Sequence, residues 1–392
     1  MNRVQDTEER YSTGVYAKRG VTIVRGQGTR LWDAEGTEYI DCASGMGVAS
    51  IGHAHPKVAE ALVQQARTLI TCPELFYNDR RAALLEKLVA VTPPGLDRIL
   101  LCNSGTEAIE GALKFARAST GKAGVVAATR GYHGRTLGAL AATWDPKHRE
   151  VAGLLPEGYR HVPYDKLSAL EEALDDDTAA VLLEVVQGEG GVRPASAEYL
   201  QGAQALCRHR GVLLIIDEVQ TGFGRTGKFF ACGHYGLEPD ILAMAKAMAG
   251  GLPMGAFAIS ERVGPIPKGL HSSTFGGNPL ACAVAATVID ILLEQRLPEH
   301  AAQTGRYFAD RLRALQASQV RDVRGLGLMI GMELKEKVAP HLRALMERGV
   351  LALAAGATVL RFLPPLTISR DEVDHVVAQV GDVLGAGKER KP

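Results

Sequence analysis

The sequence predicts an α/β protein: a large domain with a mostly parallel central sheet, and a smaller α+β domain built from both chain ends. Two observations carry this. Between Arg98 and Lys246, short apolar runs alternate with helical patterns, as a parallel sheet covered on both faces requires. Outside that block the pattern changes, to glycine-broken hairpins before it and to long helices mixed with strands after it. The expected divisions are 1–50 for the N-terminal part of the small domain, 51–290 for the large domain and 291–392 for the C-terminal part.

Each element has its own reason. VTIVRGQGTRLWDAEGTEYIDC is broken by Gly-Gln-Gly and Ala-Glu-Gly and reads as antiparallel hairpins. Pro56 suits the first position of a helix over 57–69. ILLC (99–102), GVVAA (124–128), AAVLLEVV (179–186) and VLLII (212–216) are apolar enough for strands buried on both faces. Helical spacing recurs over 106–118, 166–174 and 197–210. A long helical stretch follows over 280–315, then strands in VRDVRGLGLMIGMEL and TVLRFLPPL, with helices over 338–348 and 370–384.

Composition narrows the function. The 392 residues are 46% hydrophobic, and Lys+Arg balance Asp+Glu at 44 each, so no global field draws the chain to nucleic acid or an anionic membrane. Six cysteines are scattered without a CxxC pair and read as reduced core residues. The polar N-terminus and the lack of a long apolar run make a soluble, cytoplasmic protein the expectation. His53 and His55 lack an evident third ligand, so no metal is assigned.

The segment LLIIDEVQTGFGRTGK holds a Gly222-x-Gly224-x-x-Gly227 spacing. A dinucleotide site needs the first glycine at the strand-to-helix turn, but Asp217 to Thr221 intervene and no helix pattern follows. A P-loop needs Ser or Thr where Phe229 stands. What remains is an acid, Asp217, at the C-terminal end of a buried strand, where open α/β sheets bind ligands.

Lys246 lies in DILAMAKAMAGGLPMG, among small and apolar residues. A lysine there either snorkels to solvent or loses solvation and becomes a nucleophilic amine. Paired with Asp217 it suggests a Schiff-base lysine with a carboxylate for a pyridinium nitrogen. CNSGTEAIEGALKFARA supplies a phosphate cup: Ser104 and Glu107 have capping-box spacing, and the N–H groups of Gly105 and Thr106 open a helix.

With these residues in place, the sequence resembles the class III, ornithine-type aminotransferases of pyridoxal phosphate fold type I. GHAHP (52–56), NSGTEA (103–108), GYHGRT (131–136), EVVQGEGG (184–191), IIDEVQTGFGRTG (215–227), AKAMAGGLPMGA (245–256), TFGGNP (274–279) and RFLPPL (361–366) carry the likeness. The resemblance implies pyridoxal 5'-phosphate as cofactor. It assigns Lys246 to bind the cofactor and move the proton, and Asp217 to keep the ring nitrogen protonated, with Glu218 beside it. Tyr132 and Val219 would flank the ring, Gln220 would touch its phenolic oxygen, and Ser104, Gly105 and Thr106 would hold the phosphate.

The resemblance further implies that Thr274 reaches a phosphate in a neighbouring subunit of a homodimer, with Ser273 near the substrate. Arg135 would grip a distal substrate carboxylate and Arg361 the α-carboxylate of glutamate. Glu189 would pair with Arg361 while an ω-amino substrate binds. The N-terminal third resembles the branch of lysine biosynthesis that acts on aminoadipate semialdehyde attached to the acidic carrier protein LysW. Acetylornithine aminotransferases of arginine biosynthesis are the alternative, and an aminomutase or decarboxylase of the same fold is a further one. For a carrier-bound substrate, Lys18, Arg19, Arg25 and Arg30 are candidates to ring the cleft mouth.

Overall fold

The structure is a computed structural model that describes residues 3–150 and 153–385. Its centre is a seven-stranded sheet in the order Arg98–Cys102, Gly255–Ile259, Ile241–Met244, Leu213–Asp217, Thr178–Glu184, Gly124–Ala128, Tyr159–Val162. All neighbours are parallel except Gly255–Ile259, which runs antiparallel to both its partners. The residues of strands Thr178–Glu184 and Leu213–Asp217 are all buried, which explains why they read as continuous apolar runs.

The helix Gly105–Thr120 covers one face of this sheet through Ile109, Ala112, Leu113 and Ala116. Fully burying each Ile or Leu is worth about 2 kcal/mol. Gly111 lets the helix approach: a Cβ there would lie 2.3 Å from the Phe257 ring on the sheet. The opposite face packs against a second cluster that includes Val126, Val181, Leu214 and Ile216.

Chain ends meet in the smaller sheets. Ile23–Gln27, Arg30–Asp33 and Glu38–Asp41 form antiparallel hairpins, and Val350–Leu351 adds to the last of them in parallel, Ile40 opposite Val350. A second sheet runs Val320–Leu326, Met329–Leu334, Val359–Phe362, Leu353–Ala355, all antiparallel.

Two expected elements are divided. The helical stretch over 280–315 is two helices, Pro279–Glu294 and Leu297–Ala314, because Arg296 turns left-handed (φ 50°) and Pro298 cannot continue an incoming helix. The run 179–186 ends as a strand at Glu184, and Val186–Gln187 pairs separately with Arg193–Pro194. That break turns the chain back on itself and places Glu189 in the loop between the short strands.

No helix follows the GFGRTG loop, only the short 3-10 turn Ala231–His234. The loop is more than a turn. Arg225 is fully buried and donates to the carbonyl oxygens of Leu328 and Pro364, at 3.0 and 2.5 Å. Gly327 packs on its backbone, where a Cβ would lie 2.4 Å from Thr226. The loop thus joins the central sheet to the C-terminal one. Among the described residues, no helix is long and apolar enough to cross a membrane.

Candidate active site

The carboxyl ends of the parallel strands converge on one cavity, of about 420 Å³. Four strand ends deliver its chemistry. Arg98–Cys102 leads to Ser104, Gly105 and Thr106; Gly124–Ala128 leads to Tyr132, His133 and Arg135; Leu213–Asp217 ends on Asp217 with Val219 and Gln220 beyond; and Ile241–Met244 leads to Lys246. Glu184, at the end of the fifth strand, and Glu189 complete the wall.

Lys246 opens the 3-10 turn Lys246–Ala249 in a left-handed conformation (φ 42°). For a residue with a Cβ this costs about 1–2 kcal/mol, and it persists because Ala245, Ala247, Met248 and Ala249 are locked in the core. Burial lowers the amine's pKa below the ordinary lysine value; the nearby Glu189 carboxylate opposes this and Arg361 adds to it.

Asp217 is held on both oxygens. His133 Nδ1 lies 2.8 Å from Oδ2, and the Val219 N–H donates to Oδ1 at 3.0 Å. Burial pulls the imidazole pKa down, but its bond to Asp217 and the charges of Asp217 and Glu184 together outweigh this and hold it above the usual histidine value. Glu184 stands level with Asp217 on the next strand and is pushed up to about 7 by burial. Its carboxylate accepts from the N–H groups of Tyr132 (3.2 Å) and Gly188 (3.3 Å).

At the helix end, Ser104 Oγ accepts from Glu107 N–H at 3.2 Å, but the Glu107 carboxylate reaches past Ser104 to the N–H of Asn103, at 2.6 Å. The expected reciprocal capping box is therefore displaced by one residue. The Thr106 hydroxyl lies 2.7 Å from Thr136 Oγ1, which donates in turn to Glu110. The backbone N–H groups of Gly105 and Thr106, two residues that line the cavity, have no intrahelical acceptor at this helix start.

Arg361 is fully buried on the strand Val359–Phe362. Its Nη1 donates to Glu189 Oε1 at 2.6 Å and to Gln220 Oε1 at 3.2 Å, while Nε and Nη2 have no partner among the described residues. Arg135 bonds Tyr132 Oη (3.3 Å) and His148 Nε2 (2.9 Å). Tyr132, Arg135, Glu189 and Lys246 also line a second, adjoining cavity of about 710 Å³.

The sequence-predicted residues are thus gathered, with exceptions; Arg361 meets the cavity only through Glu189 and Gln220, which line it. Glu218 does not line the cavity: its buried carboxylate is bonded to the Thr221 hydroxyl and to Cys232 N–H, so its place in the cofactor set is corrected to an internal brace. Ser273 sits one contact away, where Asn103 Nδ2 donates to its hydroxyl at 3.0 Å. Thr274 is exposed and lies outside the cavity of its own chain.

The four basic candidates for a cleft rim are engaged elsewhere. Lys18 pairs with Glu8 and Glu9, Arg19 donates to Ala352 O, Arg25 stacks on Trp32, and Arg30 pairs with Glu38. His53 bonds Asp41 at 2.7 Å, and His55 precedes the helix Pro56–Thr68. His133 and Glu184 carried no role in the sequence reading. The only signal was their place inside the quoted motifs GYHGRT and EVVQGEGG.

The pocket suits a flat, phosphorylated ring. Gly105 keeps its floor low, since a Cβ there would lie 2.6 Å from Val219 Cγ1, and at Gly188 one would strike Gln220 Oε1 at 2.2 Å. A buried lysine of lowered pKa, a doubly braced carboxylate and a helix start converge on the same space. Fold and site together define a pyridoxal phosphate-dependent transaminase of fold type I.

Comparison with known proteins fixes the family. The model for aminotransferase class-III matches residues 13–384, and the chain belongs to the class III aminotransferases. It is 51% identical to the [LysW]-aminoadipate semialdehyde transaminase of Deinococcus radiodurans, over 96% of this chain and 89% of that protein. It is 46% identical to the acetylornithine aminotransferase of Methanothermobacter thermautotrophicus, over 97% of each. Among solved structures it superposes on the ornithine aminotransferase of Toxoplasma gondii with TM-score 0.93 at 35% identity, covering 99% of this chain and 96% of that one. The acetylornithine aminotransferase of Elizabethkingia anophelis gives TM-score 0.86 at 33% identity, covering 97% and 98%.

Proposed function

We propose that the enzyme moves the amino group of glutamate to a terminal semialdehyde in a two-stroke, ping-pong exchange, with LysW-bound aminoadipate 6-semialdehyde as the acceptor. The observation that carries the two-donor reading is the Arg361–Glu189 pair, with Glu189 on the wall of the Lys246 cavity and Arg361 buried directly behind it. A buried guanidinium with two unspent nitrogens suits the α-carboxylate of glutamate. When an ω-amine without that carboxylate enters, Glu189 neutralises the charge that would otherwise be buried alone.

Pyridoxal 5'-phosphate, when bound, supplies the electron sink for breaking the substrate Cα–H bond. The chain's own residues do the rest. The first-turn N–H groups at Gly105 and Thr106 would hold the phosphate, and Tyr132 and Val219 would confine the ring. Asp217 would keep a proton on the ring nitrogen, and Gln220 would serve the phenolic oxygen. Lys246 Nζ would take the proton from the substrate Cα and pass it to the cofactor carbon, one base serving both ends of the transfer.

Arg135 and the adjoining cavity give room for the far end of an acylated substrate. The identity to the Deinococcus relative favours the carrier-bound acceptor; N-acetylglutamate semialdehyde is the second reading, favoured by the acetylornithine relatives. The working unit is a homodimer. Leu75, Phe76, Tyr77 and Phe275 expose apolar surface that a second copy would cover, and the exposed Thr274 beside Phe275 would reach the partner's cofactor phosphate.

Turnover of LysW-bound aminoadipate semialdehyde against N-acetylglutamate semialdehyde, with glutamate as donor, tests the assignment. The carrier-bound acceptor is expected to have the higher kcat/KM by about tenfold or more, a difference of ~1.4 kcal/mol in the transition state. A reversed ratio assigns the enzyme to the acetylated substrate.

A further inference from the structure

The loop that carries Glu189 is gripped from behind by a charge cluster. Arg324, on the strand Val320–Leu326, donates from Nε to the carbonyl oxygens of Gly191 and Val192, at 3.0 and 3.1 Å, and from Nη2 to Gly191 O at 2.7 Å. Arg193 Nε donates to Gly190 O at 3.2 Å. Both guanidinium groups converge on one oxygen of Glu333, at 2.6 and 3.3 Å, and Arg321 reaches the other at 3.4 Å. Glu333 is buried; that alone would raise its pKa, but the surrounding arginines hold its carboxyl below the usual value.

Glu333 lies on the strand Met329–Leu334, which also fixes Arg361: Gly331 is the register partner of Arg361, and Glu333 that of Val359. One strand therefore anchors both members of the Glu189–Arg361 pair, Arg361 by backbone pairing and Glu189 through two arginines. The loop needs holding. Val192 is left-handed (φ 50°), a conformation a β-branched residue keeps only under constraint. Gly331 leaves the space for it, since a Cβ there would lie 2.8 Å from Val192 Cβ.

We propose that Glu333, acting through Arg324, is a positioning residue that seats the Glu189–Arg361 pair and thereby sets the enzyme's balance between glutamate and the ω-amino substrate. This rests on the reading of Glu189 as the acid that neutralises Arg361. With the loop loosened, Glu189 leaves more readily. The bare guanidinium then favours a donor that brings its own α-carboxylate, and an ω-amine meets an unpaired buried charge.

The test is the amino-donating half-reaction of the loaded holoenzyme, followed by the change in cofactor absorbance, with glutamate and with N-acetylornithine as separate donors. Glu333→Gln and Arg324→Met are compared with Glu189→Gln, and thermal melts of each holoenzyme establish which variants are folded. The expected result is that kcat/KM for N-acetylornithine falls by about tenfold or more in all three while that for glutamate changes by less than about threefold. If Glu189→Gln shifts the ratio of the two donors and the folded members of the other pair lower both donors in parallel, the positioning role is overturned and Glu333 is only structural. If Glu189→Gln itself leaves the ratio unchanged, the switch reading falls and this inference falls with it. Should Glu333→Gln not fold, Arg324→Met decides by the same ratio.

Discussion

His133 Nδ1 sits 2.8 Å from Asp217 Oδ2, both groups buried, and this contact spans 84 residues of sequence. With the Val219 N–H on the other oxygen, it fixes the orientation of the Asp217 carboxylate in the cavity wall. His133→Ala is expected to lower kcat by about tenfold to a hundredfold, the cost of misplacing a catalytic group by around an ångström. The rate of cofactor loss on dialysis should rise in the same variant. A kcat within about twofold of the wild type would detach His133 from the chemistry.

Lys246 should be essential. Lys246→Ala is expected to lose the absorbance of the bound cofactor and at least about 10³-fold in kcat. The amine also makes a pH prediction. Its pKa is lowered, and the neutral form is the nucleophile, so loading of the apoenzyme should reach its plateau at a lower pH than an ordinary lysine allows. Cofactor absorbance against pH measures this, and a midpoint near the unperturbed value of about 10.4 would contradict it.

Arg361→Lys keeps the charge and loses the planar fork. The expected loss is about 1.5–3 kcal/mol, roughly ten- to a hundredfold in kcat/KM for glutamate. N-acetylornithine should lose much less. Half-reaction rates with each donor read the difference, and equal losses would remove Arg361 from α-carboxylate recognition.

Glu184 predicts how stability depends on pH. Its folded pKa is pushed up to about 7 from an ordinary 4.5, so between those values the folded state holds more protons than the unfolded one. Stability through this group falls as pH rises across that window. Glu184→Gln removes the titration, so its stability relative to wild type should improve from pH 4.5 towards pH 7. Denaturant melts of the two proteins at a series of pH values test the sign.

Much of this was legible in the sequence because it depends on local pattern. Buried strands such as Leu213–Asp217 are continuous apolar runs, and Lys246 is conspicuous among alanines and glycines. What was not legible depends on which strands lie side by side. Glu184 and Asp217 are level because two parallel strands are in register, and no periodicity within either strand records that. The same holds for Arg324 and the carbonyls of Gly191 and Val192, 133 and 132 residues away. Glu218 misled for the converse reason: adjacent to Asp217 in sequence, it points its carboxylate at Cys232 instead of the cavity.

The pairing of Ile40 with Val350 has a consequence for synthesis. The N-terminal hairpins emerge from the ribosome first, yet the strand that completes their sheet comes more than three hundred residues later. The central sheet, whose strands all lie between Arg98 and Ile259, has every partner it needs well before that. The nascent chain therefore carries a fully paired central sheet and an open edge strand at once, and that edge is where a chaperone, or a neighbouring chain on the same message, would first find something to bind.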